Sequence, residues 1–374
     1  MQFISGIGDE LHIENTLPHQ LRRSILTKQE DIWMELFRKR NRSSQTIAEE
    51  FVQKVENEAR SNLIRVYAPI TLLVGMTIFF SIYDSHFFSL KNILNILQQM
   101  AVPLILATGL SFVLLIGRID LSVEGVMGFV GSFMALLILN DRNANDFGFW
   151  GVLIPIAIGI FYGLITGILH VKLRIASFII TFATGTIIKG IAILLYDSRA
   201  ARVQEQWMTD WSMMSFLGIP LITWIAVAFF LVCSIILNYT AFGRAVYAIG
   251  DNEAAARASG INVERVTVKA FVISSTAAAL AGFVALIRLK FGQASLGDDQ
   301  MFPCITALVI GGASLSGGRG GTLQTIVGIL IYMELLNFLT IIGVDANYKK
   351  ALQGIIIIVA VALTLSRGRK TIAK

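Results

Sequence analysis

The feature that most limits how this chain can fold is a succession of long apolar segments separated by short polar connections. A helix needs about 20 mostly apolar residues to cross the hydrocarbon core of a bilayer, and most of these segments approach or exceed that length. We therefore predict an all-α polytopic membrane protein with about ten transmembrane helices. The predicted spans are 66–83, 92–116, 122–140, 149–170, 175–196, 220–238, 268–287, 302–315, 323–343 and 350–366.

The composition supports this prediction and excludes an ordinary soluble protein. Hydrophobic residues make up 55% of the chain, charged residues 15%, and the mean hydropathy is +0.69. The formal charge of +6 does not indicate a nucleic-acid partner, because the basic residues cluster at the ends of the apolar segments, where they suit membrane lipid. Cys233 and Cys304 lie in apolar segments without metal-binding or redox spacing, so we expect buried thiols and no metal site.

Residues 1–60 form a polar N-terminal extension, and residues 61–374 form the predicted membrane domain. The extension has no apolar core, so it is neither a signal peptide nor a span. Within 46–60, apolar residues recur at helical spacing, which favours either an amphipathic cytoplasmic helix or a flexible, partly helical tail. Met34 is an alternative start.

The distribution of basic residues predicts the orientation. If the N-terminus is cytoplasmic, the cytoplasmic connections and C-terminal tail carry twelve Lys and Arg residues, and Lys54, Arg60 and Arg65 before the first span make fifteen. The outer connections carry eight. Basic residues concentrate on the cytoplasmic side of membrane proteins. Both termini are therefore expected in the cytoplasm, together with the connection 241–269 between spans six and seven.

The connection 241–269 is the longest polar interruption in the second half of the chain. Asp251 or Asn252 can cap a helix there, Glu253 suits its first turn, and Gly260 suits its left-handed end. This predicts a helix of about two turns, which is too short to be stable alone in water. It is either a helix that presses on a partner or an ordinary solvated loop helix.

Four motifs resemble one known family. The segment 243–262, which ends in AIGDNEAAARASGIN, resembles the cytoplasmic loop of ABC-type monosaccharide permeases, the ribose, galactose and arabinose importer family. NILNILQQM (92–100), IDLSVEG (119–125) and LVIGGASLSGGRG (308–320) match in the same order. The resemblance extends from about Tyr67 to the C-terminus, roughly four-fifths of the chain.

The resemblance implies the permease subunit of an importer in the bacterial cytoplasmic (inner) membrane. Two such subunits, expected as a homodimer, form the translocation path across the membrane. Two ABC ATPase subunits bind to them on the cytoplasmic side. A periplasmic or extracellular solute-binding protein delivers a monosaccharide or similar small polar solute. The coupling helix of this family docks on the ATPase. Its candidate residues here are Gly243, Arg244, Gly250, Asp251, Asn252, Glu253, Arg257 and Gly260.

The glycine-rich run 311–321 is not a nucleotide-binding loop. The Walker pattern requires Lys followed by Ser or Thr, and Gly320-Gly321 occupies those positions. Glycines in membrane proteins more often permit close helix approach or tight turns. We therefore expect no catalytic residues, no cofactor and no enzyme activity on this chain. A short internal similarity between 116–122 and 310–316 is either a trace of repetition or chance.

Polar residues in two apolar regions are candidates for the translocation path. Asn95, Gln98 and Gln99, with Asn92, form an amide-rich helix face that suits a sugar or, equally, hydrogen bonds between helices. The other candidates are Asp120, Ser122 and Glu124.

This second cluster permits two interpretations. Charges near the hydrocarbon region face a cavity or pair with one another. The cluster therefore marks either a salt bridge between Arg118 and Asp120 or a helix break that lines the inner end of the path.

The chain departs from the related permeases at two places. They usually have glycine where Glu124 stands, and they commonly carry a Tyr-Glu-Leu-Asp-Ala type run where residues 300–304 are Gln-Met-Phe-Pro-Cys. The Glu124 departure either changes the substrate preference or only places a carboxylate in the interface water. The departure at 300–304 weakens the assignment of a common pentose or hexose and leaves the class of transporter intact.

The alternative function is an ion-coupled secondary transporter of a small polar solute. Asp120, Glu124, Glu334 and Lys189 would form its relay, with Lys189 as a candidate partner of Glu334.

Overall fold

The computed structural model describes residues 67–196 and 199–366, together with Glu49, Val52 and Gln53. Residues 66–374 form one compact unit, and residues 1–65 form another. In the unit of residues 1–65, the structure describes three residues that are helical and exposed, namely Glu49, Val52 and Gln53. The rest of the predicted amphipathic segment 46–60 lies outside the described residues.

The compact unit is helical, as predicted, and a helix occupies each of the ten predicted spans. The helices are α1 (Tyr67–Tyr83), α2 (Leu90–Leu115), α3 (Val123–Leu137), α4 (Phe149–Leu173), α5 (Ser177–Tyr196), α6 (Gln206–Met213), α7 (Leu221–Tyr239), α8 (Ala241–Asp251), α9 (Glu253–Ala258), α10 (Val263–Leu289), α11 (Met301–Ile310), α12 (Thr322–Ile341) and α13 (Ala346–Ser366).

Six helices in the described part of the chain are long and apolar enough to cross a bilayer, namely α2, α4, α5, α7, α10 and α12. The count of ten spans therefore stays a prediction. The predicted eighth span, 302–315, is wrong as a single crossing. Its helix, α11, has 10 residues and is only about 15 Å long, because each residue adds 1.5 Å and the hydrocarbon core is about 30 Å thick.

Helix α10 forms the centre of the bundle and packs against α2, α3 and α4. Small residues permit the close contact: a Cβ atom on Gly109 of α2 would overlap Ala277 of α10, and one on Gly163 of α4 would overlap Ser275. Membrane helices that lack bulky side chains at their interface approach closely and gain van der Waals contact. The central position of α10 follows from its run of alanines, glycine and serines.

Short strands mark one end of the bundle, which we call the strand end. There β1 (Ala201–Arg202) pairs antiparallel with β4 (Phe291–Gly292), and Ala201 lies opposite Gly292. A hairpin of β2 (Ser215–Phe216) and β3 (Ile219–Pro220) precedes α7. The opposite end, which we call the α9 end, carries α8 and α9. Helix α10, about 40 Å long, connects the two.

Candidate functional site

The short helix predicted in the polar connection is present as α9. The Asn252 side chain accepts a hydrogen bond from the Ala255 N–H at 3.0 Å and so caps the helix. Gly260 has a φ of +81° and ends it, as predicted. Of the two candidate caps, Asp251 is instead the last residue of α8. Helix α9 lies on the surface, with only Ala256 of its six residues buried.

Helix α8 was not predicted, although the sequence carries its signals. The Thr240 hydroxyl caps it by accepting from the Gly243 N–H at 3.2 Å. Its buried residues are Gly243, Val246 and Ile249, which recur every three residues and so face one side. This amphipathic helix connects α7 to α9 along the α9 end.

Glycine allows α8 to lie directly on two backbone segments. A Cβ atom on Gly250 would overlap the Leu115 carbonyl oxygen and the Gly318 nitrogen. Those two groups already form a hydrogen bond, Gly318 N–H to Leu115 O at 2.8 Å. The glycine run 311–321 therefore serves close packing and turning. It also lies against the segment after α2, so the two internally similar stretches are neighbours.

The Tyr247 side chain adds a polar contact at this junction. Its hydroxyl donates to the Gly320 carbonyl at 3.0 Å. Burial raises the pKa of Tyr247 above its usual value, so the hydroxyl stays a donor. The contact holds α8 to the glycine run.

Arg118 connects α9 to the interior of the bundle. Its guanidinium contacts Glu253 of α9 at 3.2 Å and donates from Nε to His170 Nε2 of α4 at 2.8 Å. The other ring nitrogen of His170 lies 2.8 Å from the Ile175 carbonyl, which fixes the neutral tautomer with the proton on Nδ1. The predicted alternative, a salt bridge between Arg118 and Asp120, is wrong, because Arg118 instead pairs with Glu253 of α9.

Residues 116–122 enter the bundle as a non-helical segment. The Ile119 N–H donates to the Ser177 hydroxyl at 3.2 Å, and the Leu121 N–H donates to the Thr181 hydroxyl at 3.0 Å. These α5 hydroxyls supply partners that a non-helical backbone needs inside a membrane. The segment follows α5 inward and confirms the predicted helix break at the point where α3 begins.

Asp120 is buried at this break, at 1% exposure. Its Oδ1 accepts from the Ser122 N–H at 2.9 Å and from the Ser122 hydroxyl at 2.6 Å. Its Oδ2 has no hydrogen bond, and the neighbouring Ser274 hydroxyl of α10 has none either within the described residues. Asp120 and Ser122 thus form a local turn with one unpaired oxygen.

Helices α3 and α11 begin beside each other inside the bundle. Glu124 in the first turn of α3 accepts from the Met301 N–H of α11 at 2.9 Å. From this contact α3 runs toward the strand end, where Asn140 bridges to Val203. Helix α11 runs toward the α9 end and leads into the glycine run. Both departures from the related permeases therefore meet at one contact.

The amide-rich face of α2 divides between packing and a cavity. Asn92 exchanges two hydrogen bonds with Asn337 of α12, at 2.9 and 3.0 Å. Gln99 donates to the exposed Asn95 at 2.9 Å. Gln98 is half-buried. Of the predicted path residues, only Gln99 lines the cavity described next.

A cavity of about 230 Å³, which we call the central cavity, lies where α2, α3, α10, α11, α12 and α13 approach one another. Its polar lining includes Gln99, Arg288, Gln300, Tyr332 and Gln353, and its apolar walls include Met127 and Pro303. A concave site with apolar walls and a few converging polar groups is the usual form of a small-molecule site.

The candidate ion relay does not assemble. Lys189 pairs with Asp298 at 2.7 Å rather than with Glu334, so the expected Lys189–Glu334 contact is wrong. Glu334 accepts from the Thr77 hydroxyl, 3.0 Å from each oxygen. Since Asp120 and Glu124 also have separate partners, the four groups form no common chain.

The two ends differ in charge. Exposed cations at the α9 end outnumber the acidic groups there, and Arg257 pairs with Glu253 at 3.4 Å while Arg244 is exposed. The cations are Lys172, Arg174, Arg244, Arg257, Arg265, Lys269 and Arg319, and the acids are Asp251, Glu253 and Glu264.

A bundle of apolar helices with buried backbone breaks, a central cavity and a capped surface helix defines a multi-pass membrane permease. Comparison with known proteins agrees. A family model described as branched-chain amino acid transport system / permease component matches residues 92–361.

The chain is also similar to sugar permeases. The ribose import permease protein RbsC of Haemophilus influenzae is 34% identical over 310 residues, covering 82% of this chain and 94% of that protein. RbsC of Bacillus subtilis is 35% identical, with 79% and 91% covered. The L-arabinose transport system permease protein AraH of Escherichia coli is 30% identical, with 79% and 90% covered. No solved structure matches the chain.

The chain belongs to this family of transport-system permease components, among the ABC-type monosaccharide importer permeases that its four motifs resemble. It is a multi-pass protein of the bacterial inner membrane.

Proposed function

We propose that this chain is the membrane-spanning subunit of an ATP-binding cassette importer for a monosaccharide or similar small polar solute, driven by a separate ATPase. The observation that carries the proposal is the contact from Glu253 through Arg118 to the non-helical segment 116–122. A force on α9 reaches the start of α3 through the Glu253–Arg118 ion pair and the backbone that follows Arg118.

The mechanism follows from this connection. ATP binding brings two ATPase subunits together, and each pushes on the α9 of one permease subunit. Gly250 transmits the push, since α8 lies on the backbone after α2 without an intervening side chain. The spans rock from inward-facing to outward-facing, a solute-binding protein releases its solute into the path, and ATP hydrolysis resets the cycle. A second copy of this chain completes the path.

The test uses vesicles that hold the whole importer, reconstituted from this chain, its ATPase and its solute-binding protein. Arg257→Glu combined with Gly260→Val should abolish ATP-driven uptake, because the first reverses a charge on α9 and the second strains its left-handed end. Gly218→Val is the matched control, since Gly218 has a φ of +77° and equally open surroundings at the strand end. Undiminished uptake by the double variant would remove the coupling role.

The same vesicles distinguish the ion-coupled alternative. Uptake by an ABC importer stops on ATP depletion and survives an ionophore, whereas uptake by a secondary transporter shows the reverse. The separate partners of Lys189 and Glu334 favour the importer.

The orientation has its own test. The basic α9 end is expected in the cytoplasm, with both termini. A membrane-impermeant maleimide should label Leu217→Cys in intact cells and should leave Ala258→Cys unlabelled; both positions are exposed. Labelling of Ala258→Cys from outside would contradict the proposal.

A further inference from the structure

Arg288 lies in the last turn of α10, where it is exposed at the mouth of the bundle and lines the central cavity. It forms no hydrogen bond or ion pair with the part of the chain that the structure describes. Two nearby lysines do have acidic partners: Lys189 pairs with Asp298 at 2.7 Å, and Lys350 pairs with Asp299 at 2.9 Å. Of the charges around the cavity, the Arg288 guanidinium is thus the cation left for a ligand.

The Asp299 carboxylate also lines the cavity, and it is paired with Lys350. A second carboxylate nearby, that of Glu124, is likewise occupied. Glu124 caps the start of α11 through the Met301 N–H at 2.9 Å and does not line the cavity. It therefore also neutralises the positive end of the α11 helix dipole. An anion in the cavity would meet Arg288 rather than the helix terminus.

The remaining lining groups suit a sugar. Gln99, Gln300 and Gln353 supply amides that donate and accept, and Tyr332 supplies a hydroxyl and a ring. Sites for drug-sized molecules occupy about 300–1,000 Å³, so a cavity of about 230 Å³ suits a smaller solute.

The departure at 300–304 has a consequence here. Gln300 and Pro303 line the same cavity as Arg288. Proline at 303 leaves the guanidinium without a neighbouring acid from α11.

We propose that the central cavity is the solute site of the path and that Arg288 selects a monosaccharide bearing a carboxylate. A planar guanidinium binds a carboxylate through two parallel hydrogen bonds, which a neutral hydroxymethyl group cannot reproduce. The amides hold the hydroxyl groups of the ring. This inference rests on the proposed function and narrows its solute from monosaccharides in general to sugar acids.

The experiment compares two probes that differ only at C6. Binding of D-galacturonate and D-galactose to the purified full-length chain in nanodiscs is measured by saturation-transfer NMR titration. Galacturonate should bind at least about tenfold tighter, as expected for one charge-assisted contact. Arg288→Gln should abolish this preference. Pro303→Asp should also abolish it, because the new carboxylate pairs with Arg288. Lys91→Gln, an exposed cation of α2 outside the cavity, is the matched control and should retain it.

Equal binding of the two sugars, a preference that survives Arg288→Gln, or no binding of either sugar would overturn the inference. These outcomes are independent of the coupling test. ATP-driven uptake of a neutral sugar would contradict the sugar-acid selectivity and leave the importer standing. Arg288-dependent galacturonate binding without ATP-driven uptake would contradict the importer and leave the site standing.

Discussion

At the α9 end, backbone lies against backbone, whereas the central cavity is lined by polar side chains. Gly250, Gly317 and Gly318 bring α8, the glycine run and the end of α2 into contact with no side chain between them. Around the cavity, Arg288 keeps a guanidinium without a partner among the described residues. A tightly packed junction transmits displacement, because close-packed groups cannot move independently. A cavity with unpaired polar groups binds a solute, because the solute completes their hydrogen bonds.

The largest expected effect tests the tight junction. Gly250→Ala places a methyl group on the Leu115 carbonyl and the Gly318 nitrogen, so either α8 or the glycine run must move. We expect the free energy of unfolding to fall by about 1–3 kcal/mol, as for other overpacked sites, and uptake to be lost. Thermal unfolding in detergent measures the first effect.

The control for this prediction is Gly190→Ala. Gly190 lies in a helix with nothing within 4 Å of its added Cβ atom. Its stability should change by less than about 0.5 kcal/mol. Equal effects of the two substitutions would mean that the α9 end is no more tightly packed around Gly250 than the helix surface is around Gly190.

The second prediction concerns Asp120, between the two regions. Asp120→Ala leaves the buried Ser122 N–H without its acceptor and should cost about 1–3 kcal/mol. Asp120→Asn retains the Oδ1 acceptor and directs an N–H group from the unpaired position toward Ser274, so its stability should equal or exceed that of the native chain. Thermal unfolding of both variants measures the difference. An asparagine variant as unstable as the alanine variant would show that the negative charge itself is required.

The third prediction separates coupling from stability. Arg118→Gln removes the ion pair with Glu253. Because the Glu253 carboxylate is partly exposed, the stability change should stay below about 1 kcal/mol. Solute transported per ATP hydrolysed should nevertheless fall, because α9 loses its connection to residues 116–122. Arg319→Gln, an exposed arginine at the same end, is the control and should leave the transport ratio unchanged. If both variants lower the ratio equally, surface charge rather than this contact explains the loss.

The smallest expected effect is at the strand end, outside the transmembrane helices. Desolvation raises the pKa of Glu205. The negative charge of Asp146 and a hydrogen bond with its side chain raise this pKa further. The folded state therefore binds the proton more tightly than the unfolded state does. Protonated Glu205 therefore stabilises the folded state at pH values below the ordinary glutamate pKa of about 4.3. This stabilisation is lost as the pH rises through the raised folded-state pKa.

Glu205→Gln should remove that part of the pH dependence of thermal unfolding, which begins above the ordinary glutamate pKa of about 4.3. Glu264→Gln, an exposed acid at the start of α10, should leave it unchanged. A Glu205→Gln variant with the native pH profile would show that Glu205 does not carry the dependence.

Much of the helical fold could be predicted because each span carries its own signal in hydropathy. The capped α9 was predictable for a similar reason, since Asn252 and Gly260 act on backbone within three or four residues. The spacing of Gly243, Val246 and Ile249 also indicates α8. However, the sequence signal of so short an amphipathic helix is weak compared with that of the apolar spans that flank it.

The candidate sites could be predicted less well, because their groups are distant in sequence. Arg118 lies two residues from Asp120 yet binds Glu253, 135 residues away. Lys189 binds Asp298 rather than Glu334, since α5 lies beside the connection before α11. In the sequence Arg288 is only a basic residue at a span end, and nothing local indicates that it lines a cavity.

The amino-acid sequence by itself determined the class of protein, the positions of its helices and the capped helix at the α9 end, because hydropathy and helix capping act over a few neighbouring residues. Only the tertiary structure decided that α3 and α11 begin side by side, that Gly250 lies on the Leu115 carbonyl, and that Arg288 lines a cavity without a partner among the described residues. The physical reason is that packing between small residues and pairing between buried charges depend on distances in space, which helices far apart in the chain set only when they assemble.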